Sequence, residues 1–228
     1  MTGMVDSIAG VVATLIALAF AMSTFERFLE RRRLYELAWS IALLMFAIAS
    51  GALAVGAGAG WTGASFRIFY LFGGVTNVPF LATGTVYLLF GRRWGNVALV
   101  SVSLYSMFAA GVIITAHFHA TLPRHVLAQA AKVLPGLPEV LAGLGSGLGS
   151  IVLVGGAIYS AIKIRRRRVV LANCLIALGT LVTGASGLMN SVFDKMTAFS
   201  VSLSVGIAII FAGFLIATDR AAPAARAA

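Results

Sequence analysis

The sequence predicts an all-α polytopic membrane protein, a seven-transmembrane-helix bundle with a 3+1+3 pseudo-repeat. Three observations carry this. Of 228 residues, 60% are hydrophobic and 11% charged, and the mean hydropathy is +1.00; a soluble domain is about half apolar and about a quarter charged. Apolar stretches long enough to cross about 30 Å of hydrocarbon recur along the whole chain. The basic residues between them alternate in density from one loop to the next, as topology-setting loops do.

The spans fall near 8–24, 35–57, 67–90, 96–117, 140–162, 169–190 and 198–217, within a single transmembrane domain of residues 1–220. Helices follow from these lengths, and from the inability of lipid to satisfy an open sheet edge. The first run is read as a retained helix and not a signal peptide, because Met1 to Ser7 holds no Lys or Arg. Between spans four and five, His117 to Leu137 is the longest external connection. Val126, Leu127, Ala130, Val133 and Leu134 recur there at helical spacing, which predicts an amphipathic segment over 121–134 lying on the membrane surface. Pro135 and Gly136 end it, and Pro138 with Glu139 opens span five. Residues 221–228 read as a short disordered cytoplasmic tail.

Orientation follows from charge. Thirteen basic residues, among them Arg31, Arg32, Arg33, Arg92, Arg93 and Arg165 to Arg168, fall on one side; four, Arg67, Arg124, Lys132 and Lys195, fall on the other. The positive-inside rule puts the first group in the cytoplasm, so seven spans place the N-terminus outside and the C-terminus inside. Abundant Ala, Gly and Arg point to a GC-rich bacterial source, and so to the inner (plasma) membrane. Aromatic belts are expected at Trp61, Phe66 and Tyr70 outside, and at Phe25, Phe28, Tyr35, Trp39 and Trp94 inside.

The repeat rests on parallel features. Span one runs into Arg31-Arg32-Arg33, and Leu37-Ala38 then opens a helix carrying Ser50-Gly51; span five runs into Arg165 to Arg168, and Leu171-Ala172 opens a helix carrying Ser186-Gly187. The competing reading is that any two basic-loop, small-residue helices look alike.

The formal charge of +10 does not indicate nucleic acid, because the basic residues sit in short clusters between apolar runs. The lipid bilayer and its anionic headgroups are the expected partners, with Arg31, Arg32, Arg33, Arg165, Arg166, Arg167 and Arg168 as the contacts. No cofactor or metal is expected. His117 and His119 lie two apart and point away from one another on a helix, and no carboxylate or cysteine completes a ligand set. The seven acids (Asp6, Glu26, Glu30, Glu36, Glu139, Asp194, Asp219) all fall at helix ends or in loops, which argues against ion-pump chemistry. With no interior lysine, a retinal Schiff base is excluded. Gly184-Ala185-Ser186-Gly187 matches an intramembrane serine-protease motif, but no histidine follows His125.

The candidate ligand site is on span three: Arg67 at its outer end, then Tyr70, Asn77 and Pro79. An amide near mid-bilayer costs several kcal/mol by order of magnitude if unpaired, and Pro79 frees the carbonyl of Val75 beside it. Thr180, Asn190 and Ser204 on spans six and seven are candidate partners. The structural alternative is that Asn77 bonds a neighbouring helix, Pro79 kinks and Arg67 snorkels. On span five, Gly143/Gly147 and Gly145/Gly149 are overlapping GxxxG pairs, suited to close packing or homo-oligomerisation.

The stretch Phe66 to Arg93, with FRIFYLFGG, NVP and TGTVYLLFGRR, resembles a family of uncharacterised multi-pass membrane proteins from actinobacteria. The resemblance covers about an eighth of the chain and implies no activity. Function is therefore expected to be binding or transport of a small neutral, amphipathic or anionic molecule. A sensor or assembly subunit whose cytoplasmic arginine clusters engage another protein or anionic lipid is the alternative, and an intramembrane enzyme, lacking any acid–base or metal set, comes third.

Overall fold

A computed structural model describes residues 2–122, 124, 130–164, 166–193 and 196–218; for 2, 3, 131, 185–193, 196–200 and 218 it describes the backbone alone. No strand occurs among the described residues. The helices are α1 (Thr2–Arg31), α2 (Leu34–Ala59), α3 (Gly63–Phe69), a π-helical segment (Tyr70–Thr76), α4 (Asn77–Thr115), α5 (Ala130–Val133), α6 (Leu137–Tyr159), a second π-helical segment (Ser160–Ile164), α7 (Arg167–Phe193) and α8 (Met196–Thr218). Among the described residues, five stretches are long and apolar enough to cross a membrane: Met4–Arg31, Leu34–Ala59, Gly63–Thr115, Leu137–Ile164 and Arg167–Gly184. Their outer faces carry large apolar side chains, such as Leu15, Met107, Leu148 and Ile151, each more than half exposed. Water would not tolerate so continuous an apolar surface. The protein is membrane-embedded and multi-pass.

Lipid supplies no hydrophobic drive between helices, so close approach of small residues does the packing. Helix α1 shows this: Ala13, Ala17 and Ala21 are buried while Ile8, Leu15 and Met22 face outward. A Cβ on Gly10 would lie 3.0 Å from Ala54 of α2. Ser7 donates to the Ala54 carbonyl (3.0 Å) at one end of this seam and Ser40 to the Ala21 carbonyl (2.9 Å) at the other. Only Arg32 and Arg33 join the two helices, and Arg32 takes the left-handed conformation (φ 51°) to reverse the chain.

The Gly63–Thr115 stretch has 53 residues. At 1.5 Å per residue a straight helix would be about 80 Å long, more than twice the hydrocarbon thickness. It does not run straight. Gly91, at φ 79° and ψ −172°, breaks α4 into two arms. Tyr87 then donates to Asn96 Oδ1 (2.8 Å) across the turn, and its ring fills the space a side chain on Gly95 would need. The second arm returns to where α3 began: Arg67 donates to the carbonyls of Ile113 (3.1 Å) and Ala116 (2.8 Å).

Helix α2 runs antiparallel to the first arm, with Trp39 against Gly84, Met45 against Thr76 and Ala49 against Gly73. Helix α6 runs parallel to it, through Gly145 on Val75, Gly149 on Val78 and Gly156 on Thr85. Helices α7 and α8 pair antiparallel through Gly179, Gly206 and Gly213. Stacking of Phe211 on Phe20 and of Phe214 on Trp39 ties α8 to α1 and α2. These pairings put Arg27, Arg31 to Arg33, Arg92, Arg93, Lys163 and Arg166 to Arg168 at one end of the bundle. Arg67, Arg124 and Lys132 lie at the other.

Two sequence expectations change. Several aromatics expected at the interfaces are core residues: Trp39, Phe66, Trp61 and Tyr70 are all buried. The cause is local, since Gly84 and Gly56 open slots into which the two indoles fit. Trp94 and Phe25 stay exposed. The external segment expected to lie flat on the membrane over 121–134 is, in its described part, a single turn whose Val133 and Leu134 are buried with Trp61, Phe66 and Ile113. The His119 amide donates to the Val133 carbonyl (3.0 Å) and holds that turn inward. Residues 123, 125–129 and the tail 221–228 lie outside the described residues.

Candidate functional site

The π-helical segment Tyr70–Thr76 occupies the middle of the candidate region and ends on Asn77. Its origin is chemical. Pro79 has no N–H, so in the α register the Val75 carbonyl loses its donor, and in the π register the Gly74 carbonyl does. Thr76 Oγ1 donates to the Leu71 carbonyl (2.9 Å), the five-residue spacing of a π-turn. The Gly74 carbonyl is recovered from another helix: Ser146 of α6 donates to it at 2.7 Å. A Cβ on Gly145 would lie 2.5 Å from the Val75 carbonyl oxygen and 2.5 Å from Tyr105 Oη. One on Gly149 would lie 3.0 Å from the Val78 carbonyl carbon and 3.1 Å from the Pro79 nitrogen. The Gly145/Gly149 pair therefore packs directly on the helix break, whereas Gly143 and Gly147 meet open space.

Two tyrosines clamp the start of α6. Tyr70 donates to the Pro138 carbonyl (3.2 Å) and Tyr105 to the Leu141 carbonyl (2.6 Å). Replacing Ser146 with alanine leaves the Gly74 carbonyl unpaired in an apolar setting. The expected loss is about 1 kcal/mol, read as a shifted midpoint in reversible unfolding by denaturing detergent. An unchanged midpoint contradicts this role for Ser146.

Asn77 is buried at the head of α4, and among the described residues its amide makes no hydrogen bond. Arg67, at the outer end of the span, caps the carbonyls at the end of α4 and lies 4.3 Å from the centre of the Phe118 ring. The glycines around Asn77 meet two different helices. Gly73 and Gly84 face α2, while the Gly74 carbonyl faces α6. Thr180 is buried and donates to the Ile176 carbonyl of its own helix (2.8 Å), so its hydroxyl is not offered to Asn77. Ser204 is half-buried on α8, and the side chain of Asn190 lies outside the described residues. Two shallow clefts of about 450 Å³ and 470 Å³ lie at the ends of the bundle, one at Arg167 and Cys174 and one at Gly63 and Phe118 to Leu122.

Comparison with protein-family models, with curated proteins and with solved structures finds no match to this chain. The site has to be read from its own chemistry.

At the basic end, the Arg32 guanidinium lies over the Phe28 ring (5.8 Å). Arg33 donates to Tyr35 Oη (2.8 Å), a bond that raises its affinity for its proton above the ordinary arginine value. Arg166, Arg167 and Arg168 are exposed, and Arg165 lies outside the described residues. Among the described residues no three His, Cys, Asp or Glu side chains come together as a metal set.

Sequence reasoning missed the environment of two acids. Asp6 and Glu36 sit near helix ends as expected, but both are fully buried. Among the described residues neither carboxyl oxygen of Glu36 has a hydrogen-bond partner, nor does the indole N–H of Trp39, one turn further along the same face. The available signal was Trp39 at i+3, which marks that face as inward. An unpaired buried carboxyl destabilises a fold. Glu36→Leu is therefore expected to raise the unfolding midpoint, by about 1–3 kcal/mol; a fall would show that the carboxyl is held by a partner that matters.

Proposed function

We propose that the chain crosses the bilayer seven times with its N-terminus outside, and that it binds or transports a small neutral or amphipathic molecule at the helix break of Tyr70–Pro79. The seven-span reading takes α1, α2, the two arms on either side of Gly91, α6, α7 and α8 as the spans, in the inner membrane of a bacterial cell. Collection of most described basic residues at one end supports the orientation. The helix packing lends the pseudo-repeat no support, since α1 pairs densely with α2 and α7 with α8, whereas the repeat equates α1–α2 with α6–α7.

The observation carrying the functional reading is Asn77: a buried amide without a hydrogen bond to another described residue, beside a π-turn and a proline. π-turns within helices concentrate at functional sites. A polar side chain inside a membrane bundle favours a ligand that hydrogen-bonds it. The Arg67 guanidinium is held on the carbonyls of Ile113 and Ala116 at the end of α4 and not at Asn77, so a hydrogen-bonding neutral or amphipathic ligand fits better than an anion.

Without ligand, purified Asn77→Leu should be folded and at least as thermally stable as the unmodified chain, because the change removes a buried polar group. Across a broad panel of small polar and amphipathic compounds, only the unmodified chain should gain stability, or in vesicles take a compound up. A panel to which both proteins respond alike sinks the proposal.

A second reading is favoured by the exposed Arg92, Arg93 and Arg166 to Arg168: a sensor or assembly subunit that engages a protein partner at the basic end. A stoichiometric partner recovered in mild detergent favours it, and recovery of the chain alone or with its own copies favours transport.

A further inference from the structure

At the basic end, the second π-helical segment, Ser160–Ile164, widens the end of α6 just before the chain turns into α7. A shallow cleft of about 450 Å³ opens between them, lined by Ala161, Arg167, Val170, Leu171 and Cys174. The last four recur at i, i+3, i+4 and i+7, so they form one face of α7. Down that face the chemistry changes in order: a guanidinium first, then branched aliphatic side chains, then a thiol. Arg167 to Cys174 spans about 10 Å along the helix. That matches the step from a headgroup phosphate to the upper part of an acyl chain.

Arg167 is exposed, and among the described residues it makes no hydrogen bond or ion pair. Lys163 and Arg166 beside it are exposed too and add positive potential. Elsewhere the lipid-facing surface of α1 presents rows of large aliphatic side chains and no basic residue until its last turns. The combination of a concave apolar wall with an exposed guanidinium at its interfacial edge is the chemistry of a phospholipid with an anionic headgroup.

We propose that this cleft is a binding site for an anionic phospholipid, with Arg167 on the phosphate and Val170, Leu171 and Cys174 against the first acyl carbons. The inference rests on the chain being membrane-embedded and is independent of the Asn77 site. Arginine suits the phosphate because its planar fork donates two parallel hydrogen bonds. A bound lipid would also cover Cys174, which is the chain's single cysteine and is exposed.

That cysteine supplies the test. The full chain is reconstituted into phosphatidylglycerol vesicles and into phosphatidylcholine vesicles, and the rate of Cys174 alkylation by N-ethylmaleimide is followed by mass. Alkylation should be roughly fivefold slower in phosphatidylglycerol, as expected for one basic side chain facing anionic lipid. In phosphatidylglycerol, Arg167→Gln should restore most of the faster rate and Arg167→Lys only part of it. Arg93→Gln, which removes an equal charge from the same end away from the cleft, should leave the rate unchanged. Equal rates in the two lipids overturn the proposal, as does equal acceleration by Arg93→Gln, which would mean general surface charge. Failure of the chain to enter vesicles at all would instead refute the membrane reading.

Discussion

Replacing Gly145 with valine is expected to disrupt the bundle more than any other single change on α6. The new side chain would begin 2.5 Å from the Val75 carbonyl oxygen and 2.5 Å from Tyr105 Oη. Neither can yield cheaply. The carbonyl belongs to the π-turn, and Tyr105 is tied to Leu141. Moving α6 away would relieve the clash, but it would also break the Ser146 bond to Gly74 and the two tyrosine clamps. Overpacking alone costs about 1–3 kcal/mol, and each orphaned polar group adds about 1–3 kcal/mol. Together these take most of the stability of a marginal protein. Gly145→Val should therefore elute as aggregate in mild detergent or lose its cooperative unfolding transition. Gly143→Val and Gly147→Val are the matched controls: both positions meet open space, and changes there should stay within about 0.5 kcal/mol. Equal behaviour of the three variants would mean that α6 does not rest on the helix break.

The second large effect is expected at Gly91. Its φ of 79° with ψ of −172° lies in a region that is essentially glycine's alone. Crowding is not the issue, because a Cβ there meets nothing within 4 Å. Strain of about 1–3 kcal/mol falls directly on the turn, and a β-branched side chain adds to it. Relief comes by straightening the two arms, which the fold cannot accept without losing the Arg67 bonds to Ile113 and Ala116 and the Tyr87 bond to Asn96. Gly91→Val should lower the unfolding midpoint by about 2 kcal/mol or more on that scale. At Gly111, where φ is ordinary and space equally open, the same substitution should have little effect.

Much of this architecture is legible in the residues themselves. Apolar length gives the helices, and the Arg-rich loops mark one end. The break between spans near 90 and 96 is visible in Gly91-Arg92-Arg93, and Gly145/Gly149 is a recognisable contact pair. Other features are hidden for identifiable reasons. A π-turn adds one residue to the register, so a 3.6-residue periodicity drawn through Tyr70–Asn77 assigns Gly73, Gly74 and Gly84 to one face, when they meet two different helices. Arg67 reads as the mouth of a pocket because its acceptors, the carbonyls of Ile113 and Ala116, are more than forty positions away. Trp39 and Trp61 read as interfacial because the slots that receive them depend on Gly84 and Gly56 standing opposite. The burial of Glu36 is masked by its place in the first turn of α2, where an acid ordinarily meets water and favours the helix dipole.

The central claim is a chain that enters and leaves the bilayer on either side of Gly91 and gathers its basic residues in the cytoplasm. Single cysteines at Arg93, Thr121 and Arg166, in a Cys174→Ala background, test it directly with a membrane-impermeant maleimide applied to intact bacterial cells. The account predicts that the cysteine replacing Thr121 is labelled in intact cells, and that those replacing Arg93 and Arg166 are labelled only after permeabilisation. Equal labelling of the Thr121 and Arg93 positions would contradict it, because the second arm of α4 would then not cross the membrane.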